Sequence, residues 1–385
     1  MLYTFVFYNL ILFFSTALLY VSEKEKTAIG RRLCLVLAFL VTVVPSAIRF
    51  EIGSDYVSYI AIFEELAAGG AIYVEPGFLL LNKAINFLGL GYEWLFIVVA
   101  IFIHTFAFLS YPKKNRYIAH LFFMLLFYFQ TFNILRQMMA IVVIMYAFKL
   151  YMQQRNDIRF YIMVVFASLF HTVALLFLFI PILNNRIVYG YMRHFSWTAI
   201  IFWGLAIVAG SFFVDLMINV LNIMQTKDYS GYIEGGRYSE SAEVNTGLGV
   251  LVFLFFCVYP LFYAKKFIEI DNKNILILTL LIIYVTFMTL QKQAAIFYRP
   301  KQALEFMFIP LVLMVLSNRV LPFRRLYVGL FFLFLFAIYN KNIVTSHTDY
   351  RITCNSGRLA PYVTIFNKED SKRGNISAER ACYIH

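Results

Sequence analysis

Apolar residues run through this chain in long blocks of roughly 15–25 residues separated by short polar intervals, and the strict alternation of a half-buried strand is absent. Blocks of that length match the ~20 residues a helix needs to cross about 30 Å of hydrocarbon, where every backbone polar group must be satisfied within the segment. The pattern predicts an all-α integral membrane protein. The first block, Leu2 to Val21, lacks a basic leading segment and a small-residue cleavage site, and reads as a retained helix.

Successive blocks predict helices over about 2–21, 33–48, 93–110, 117–132, 138–151, 196–223, 248–264, 274–290, 302–317 and 326–343. Two stretches fit less simply. Residues 78–91 are too short and too interrupted by Lys83 and glycines to span, and read as an interfacial or re-entrant helix. Residues 158–182 read as two half-helices meeting near His171, a break tolerated where it lines a buried or wet cavity. The expectation is therefore about 11–13 transmembrane helices, some broken, in one polytopic domain over residues 1–344, with a polar tail over 345–385. Two long polar loops, about 49–77 and 225–247, stand out from this apolar background.

Composition agrees: 62% of residues are hydrophobic and 14% charged. The formal net charge of +12 raises the question of nucleic acid, but the basic residues fall in short clusters between apolar blocks. No aromatic and basic residues interleave as a nucleic-acid groove requires, so a nucleic-acid partner is not expected. The clusters instead follow the positive-inside rule. Lys24, Lys26, Arg31, Arg32, Lys113 and Lys114 then lie inside, which delivers both long loops to the outer face. A straight helix through His171 would invert everything downstream and place Lys265, Lys266, Arg324 and Arg325 outside, which favours the two half-helices. The same path puts the tail outside, where Cys354 and Cys382 could pair; Cys34 and Cys257 lie in apolar blocks as packing residues. The 43 Phe and 27 Tyr suit aromatic belts at two interfaces.

On this topology the unusual polar residues collect at the outer face: Arg49, Asp55, Tyr56, Glu75, Asn133, Arg136, Gln137, His171, Arg237, Gln291 and Arg299. Ionisable groups at membrane depth cost several kcal/mol unless paired or hydrated, so each marks a candidate site. Arg136-Gln137 opens one helix and Arg299 another, and a helix start offers free amides and partial positive charge to phosphate. Arginine adds a planar fork that grips phosphate with two bonds and keeps its proton. The plainer reading is that these arginines anchor helix ends at head-group level. Arg237, in EGGRYS, could close over a ligand or be a solvated loop charge. His171, Asp55 and Glu75 compete as general base for a sugar hydroxyl, against a structural role for His171 and a turn-fixing role for Glu75. No CxxC pair, HExxH, GxxxxGK[ST] or GxSxG occurs, and the histidines are too scattered for a metal site, so no metal or cofactor is expected.

The spacing of Arg49, Gly53, Asp55, Tyr56, Tyr59 and Phe63, followed by Glu75-Pro76-Gly77-Phe78, resembles the EpsG family. So do Asn133, Arg136 and Gln137 with Ala140, and the later His171 in an apolar run. The family is similar to Wzy-type polymerases of bacterial O-antigen, capsule and exopolysaccharide. The motifs lie between residues about 49 and 175; beyond them only the helix pattern, the outer loop and Arg299 agree. The resemblance implies a metal-independent GT-C-like glycosyltransferase in the bacterial cytoplasmic membrane, with its site facing outside. It would move a growing glycan from polyprenyl diphosphate to the non-reducing end of a lipid-linked repeat unit, with a chain-length regulator as a possible partner. Asp55, Glu75 and His171 would be catalytic; Arg49, Tyr56, Asn133, Arg136, Gln137, Arg237 and Arg299 would bind substrate. The alternatives are a flippase for lipid-linked glycan, disfavoured by the lack of internal repeats, and an O-acyltransferase, disfavoured by the outward clustering.

Overall fold

The computed structural model describes residues 2–154, 156–193, 248–291, 297–346 and 358–368. The protein is an all-α polytopic membrane protein. Among the described residues seven helices are long and apolar enough to cross a membrane. They are α1 (Leu2–Lys24), α2 (Ala28–Ala47), Tyr92–Ser110, Leu135–Gln154, Leu248–Ile270, Tyr298–Ser317 and Arg324–Val344. Two further apolar helices, Arg116–Phe127 and Asn274–Leu290, are shorter. The predicted helix over 196–223, the loop 225–247 and both tail cysteines lie outside the described residues.

By their contacts the chain divides into two units, Met1–Leu175 with Phe332–His385, and Leu176–Phe331. The first unit carries the sequence motifs. After α1 and α2 come two helices in the long polar loop region, α3 (Tyr56–Ala67) and α4 (Pro76–Phe87). Then follow α5 (Tyr92–Ser110), α6 (Arg116–Phe127), the single turn α7 (Gln130–Asn133), α8 (Leu135–Gln154) and α9 (Asp157–Ser168). Local sequence explains several ends. Thr27 caps α2 by accepting the Gly30 amide at 3.1 Å, and Asn156 caps α9 by accepting the Arg159 amide at 2.9 Å. Pro76 opens α4, a position where its missing N–H has no helical partner to lose.

α8 is the centre of this unit. It packs against α5 and α9, and most of its side chains are buried, whereas α1 and α2 show rows of exposed leucine, valine and phenylalanine suited to lipid. The last turns of the Arg324–Val344 helix return to α1: Tyr339 donates to the Tyr8 carbonyl at 3.1 Å and Asn9 donates to Asn340 at 2.8 Å.

One expectation needs adjustment. The polar stretch 49–77 is not a continuous loop, because YVSYIAIFEELA forms α3 and buries Tyr56, Val57, Tyr59 and Phe63 on one side. The break at His171 is present: α9 ends at Ser168, and a 3-10 helix resumes only at Thr172–Phe179. In the second unit Tyr327 donates to the Phe256 carbonyl at 2.5 Å, and Phe253 meets Tyr284, Phe308 and Phe331. Its aromatic side chains fill the space between Leu248–Val258, Asn274–Leu290 and Phe308–Ser317.

Candidate functional site

The polar stretch between α2 and α4 is fastened at three points, two at the short break between α7 and α8 and the third at the end of α9. The first follows from Gly53. Its φ is +106°, a left-handed conformation that side chains resist, and a Cβ there would stand 2.4 Å from the Phe132 carbonyl oxygen. With no side chain in the way, the next amide, Ser54 N–H, donates to Asn133 Oδ1 at 2.7 Å. Asp55 then opens α3, its carboxylate accepting from the Ser54 hydroxyl at 3.2 Å.

The second fastening is an ion pair. Glu75, just ahead of α4, accepts from Arg136 Nη1 at 2.5 Å, with the two side chains 11% and 30% exposed. Arg136 lies 5.9 Å from the Phe78 ring, and the Tyr59 hydroxyl bonds the same guanidinium. The third is at Gly77, whose amide donates to the Leu169 carbonyl at 2.8 Å; an added Cβ would come within 2.8 Å of that oxygen. Leu169 closes α9 two residues before His171.

His171 is half-buried, and its Nδ1 accepts from the Val173 amide at 3.1 Å. A neutral imidazole that accepts at Nδ1 carries its proton on Nε2. In this geometry the outer nitrogen is a donor.

Arg49 stands apart chemically. It is 1% exposed, with its guanidinium 5.1 Å from the Phe96 ring and 5.0 Å from the Phe132 ring. Nη1 donates to the Ser46 carbonyl, while Nε and Nη2 have no hydrogen-bond partner among the described residues. Burial pulls the guanidinium down from its ordinary value to about 10, against the pull of the surrounding Tyr56, Tyr362, Tyr8 and Tyr128. It remains a cation at neutral pH, compensated among the described residues by ring faces and a carbonyl. Tyr56, buried and stacked on Phe96 with centroids 4.2 Å apart, has its hydroxyl pushed up by burial.

The structure therefore gathers Arg49, Asp55, Tyr56, Glu75, Asn133 and Arg136 around the stretch from Phe132 to Arg136, with His171 attached through Leu169. Gln137 is buried beside them in α8. Arg299 lies in the second unit, half-buried in the first turn of Tyr298–Leu304. Arg237 lies outside the described residues. No cluster of three His, Cys, Asp or Glu side chains suited to a metal occurs among the described residues.

Sequence reasoning passed over Phe96, Phe132 and the chemical part played by Tyr59. The clue to Tyr59 was available, because it follows Asp55 by one helical turn and so shares its face. The aromatic pair around Arg49 left no clue, since both rings sit in apolar helices like dozens of others.

The family model of the EpsG family matches residues 32–364 of this chain. No curated protein and no solved structure matches it.

Proposed function

The chain belongs to the EpsG family, whose members are like Wzy-type polysaccharide polymerases, and on that premise we propose that it elongates a bacterial polysaccharide at the outer face of the cytoplasmic membrane. The donor is a growing glycan on polyprenyl diphosphate; the acceptor is the non-reducing end of a second lipid-linked repeat unit. The acceptor hydroxyl oxygen bonds to the anomeric carbon, the bond from that carbon to the diphosphate breaks, and the hydroxyl proton passes to a carboxylate. Polyprenyl diphosphate leaves as an anion, so the site must supply fixed positive charge where that charge develops.

The observation that carries this reading is the Glu75–Arg136 pair at the start of α8. Arg136 is held in place but not consumed: it has five N–H donors, and its side chain is 30% exposed. In this reading Arg136 grips the diphosphate, and Arg237 and Arg299 stay the further substrate-binding candidates that the sequence marks. Arg49, at 1% exposed, instead fixes the loop from inside. Asp55 is the favoured base. Glu75 is engaged by Arg136, and His171 offers a donor from Nε2, suited to a phosphate or sugar oxygen. Asn133 sets the height of Asp55 by holding Ser54, and Tyr56 and Gln137 shape the wall behind.

The test is the purified protein in a bilayer with its lipid-diphosphate repeat unit. A polymer ladder with release of polyprenyl diphosphate is the expected result. Movement of the repeat unit across the bilayer without elongation would replace polymerisation with transport.

A further inference from the structure

The described part of the polar tail, residues 358–368, lies against the same loop that carries Asp55. The contact is made through backbone. Phe50 N–H donates to the Val363 carbonyl at 2.9 Å, and Ile365 N–H donates to the Ile48 carbonyl at 2.9 Å. Arg49 and Thr364 thereby form an antiparallel bridge, and Gly53 N–H reaches the Arg358 carbonyl at 3.3 Å. Main-chain pairing of this kind fixes register, because a one-residue slip would turn every side chain to the opposite side.

Further hydrogen bonds and an ion pair pin the segment to four helix ends. Tyr362 donates from its amide to Thr4 Oγ1 at 3.0 Å and from its hydroxyl to the Pro45 carbonyl at 2.9 Å. Tyr8 donates to the Leu359 carbonyl at 3.2 Å, and the Leu359 amide donates to Ser346 Oγ at 2.7 Å. Lys368 pairs with Glu93 at 2.9 Å, at the start of α5. Arg358, Leu359, Ala360, Tyr362 and Val363 are all buried. The start of α1, the end of α2 and the end of the Arg324–Val344 helix thus meet around one short stretch of tail.

We propose that residues 358–368 are a positioning segment for the polymerase site: they hold the Ile48–Gly53 backbone from one side while Asn133 holds Ser54 from the other, and the tail therefore lies on the same membrane face as the catalytic loop. Asp55 is only two residues beyond the last of these tail contacts. An error of about 1 Å in a reacting group can cost about a hundredfold in rate, so a loop fastened on one side alone is a poor support for a base. The kinetic part of the inference rests on the polymerase reading; the placement of the tail does not.

The placement is tested by cysteine labelling in intact cells, in a chain whose four native cysteines are replaced by serine. Tyr73, 78% exposed between α3 and α4, and Phe366, 81% exposed in the tail, are the reporter positions. Y73C and F366C are expected to react with a membrane-impermeant maleimide from the same side. Labelling from opposite sides overturns the inference whatever the protein's activity. For positioning, I365P removes the N–H that bonds Ile48 while I365A keeps it. In monodisperse protein, I365P is expected to lower kcat about tenfold or more with KM for the acceptor within about twofold, and I365A to match the parent. Parental kcat in folded I365P overturns the positioning role. If I365P does not fold, T364G replaces it, loosening the bridge without removing a backbone donor, and the same kinetic criterion applies.

Discussion

Replacing Glu75 and Arg136 singly and together measures how much the site depends on its ion pair. The nitrogen and oxygen are 2.5 Å apart, and the delocalised charges are centred about 4 Å apart. At an effective dielectric constant of about 20, two unit charges at that separation attract by about 4 kcal/mol. Removing both groups from water offsets about half of this, and the partial exposure of Arg136 screens a little more. A coupling of about 2 kcal/mol remains. E75Q and R136Q should each destabilise the folded protein, because each leaves one charge half-buried without its partner. The double variant should be more stable than the sum of the singles by that coupling. Titration of detergent-solubilised protein with a denaturing detergent, followed by tryptophan fluorescence, gives the four free energies. Effects that add to within about 0.5 kcal/mol would refute the claim that this contact organises the loop. The same four proteins separate stability from chemistry: R136Q should lose polymerisation even where it is folded, whereas E75Q should retain part of it.

Gly53→Ala places a methyl group 2.4 Å from the Phe132 carbonyl in a left-handed backbone, and should cost about 2 kcal/mol or more in the same titration and strongly reduce polymerisation; parental stability would contradict the close approach. Arg49→Met should fold and bind pyrophosphate as the parent does, because the buried cation holds the loop from inside and is not exposed to the donor. Weakened pyrophosphate binding by folded R49M would instead give Arg49 a direct part in binding the donor. Asp55→Asn should fold normally and lose about a hundredfold or more in kcat, with donor binding, read by competition with pyrophosphate, unchanged. A D55N enzyme at parental rate would move the base elsewhere.

The spans were legible because lipid imposes one rule on every turn of a helix, and Leu2–Lys24 or Arg324–Val344 satisfy it along their whole length. A break near His171 was expected from the basic clusters downstream, and the α-helix does end at Ser168. α3 was not. Its Tyr56, Tyr59 and Phe63 repeat at helical spacing, but the charged neighbours Asp55, Glu64 and Glu65 make the stretch look like solvated loop. The EPGF motif was read as fixing a turn, and Gly77 against Leu169 supplies the physical content of that turn. Arg49 was expected to bind substrate, and no sequence signal foretold that it would be only 1% exposed. Pairing of the loop with residues 358–368 had no signature at all, because backbone hydrogen bonds place no demand on which side chains accompany them.

The bridge between Arg49 and Thr364 also orders events in time. Translation delivers the opening loop early, directly behind α2, but its partner strand is made only after the Arg324–Val344 helix has been synthesised. Until then Ile48, Phe50 and Gly53 keep their backbone groups without these partners, and the buried cation lacks one wall of its enclosure. A ribosome-bound nascent chain ending before residue 358 should therefore expose the loop to protease added from outside. The segment that settles the loop is thus made after every helix it touches.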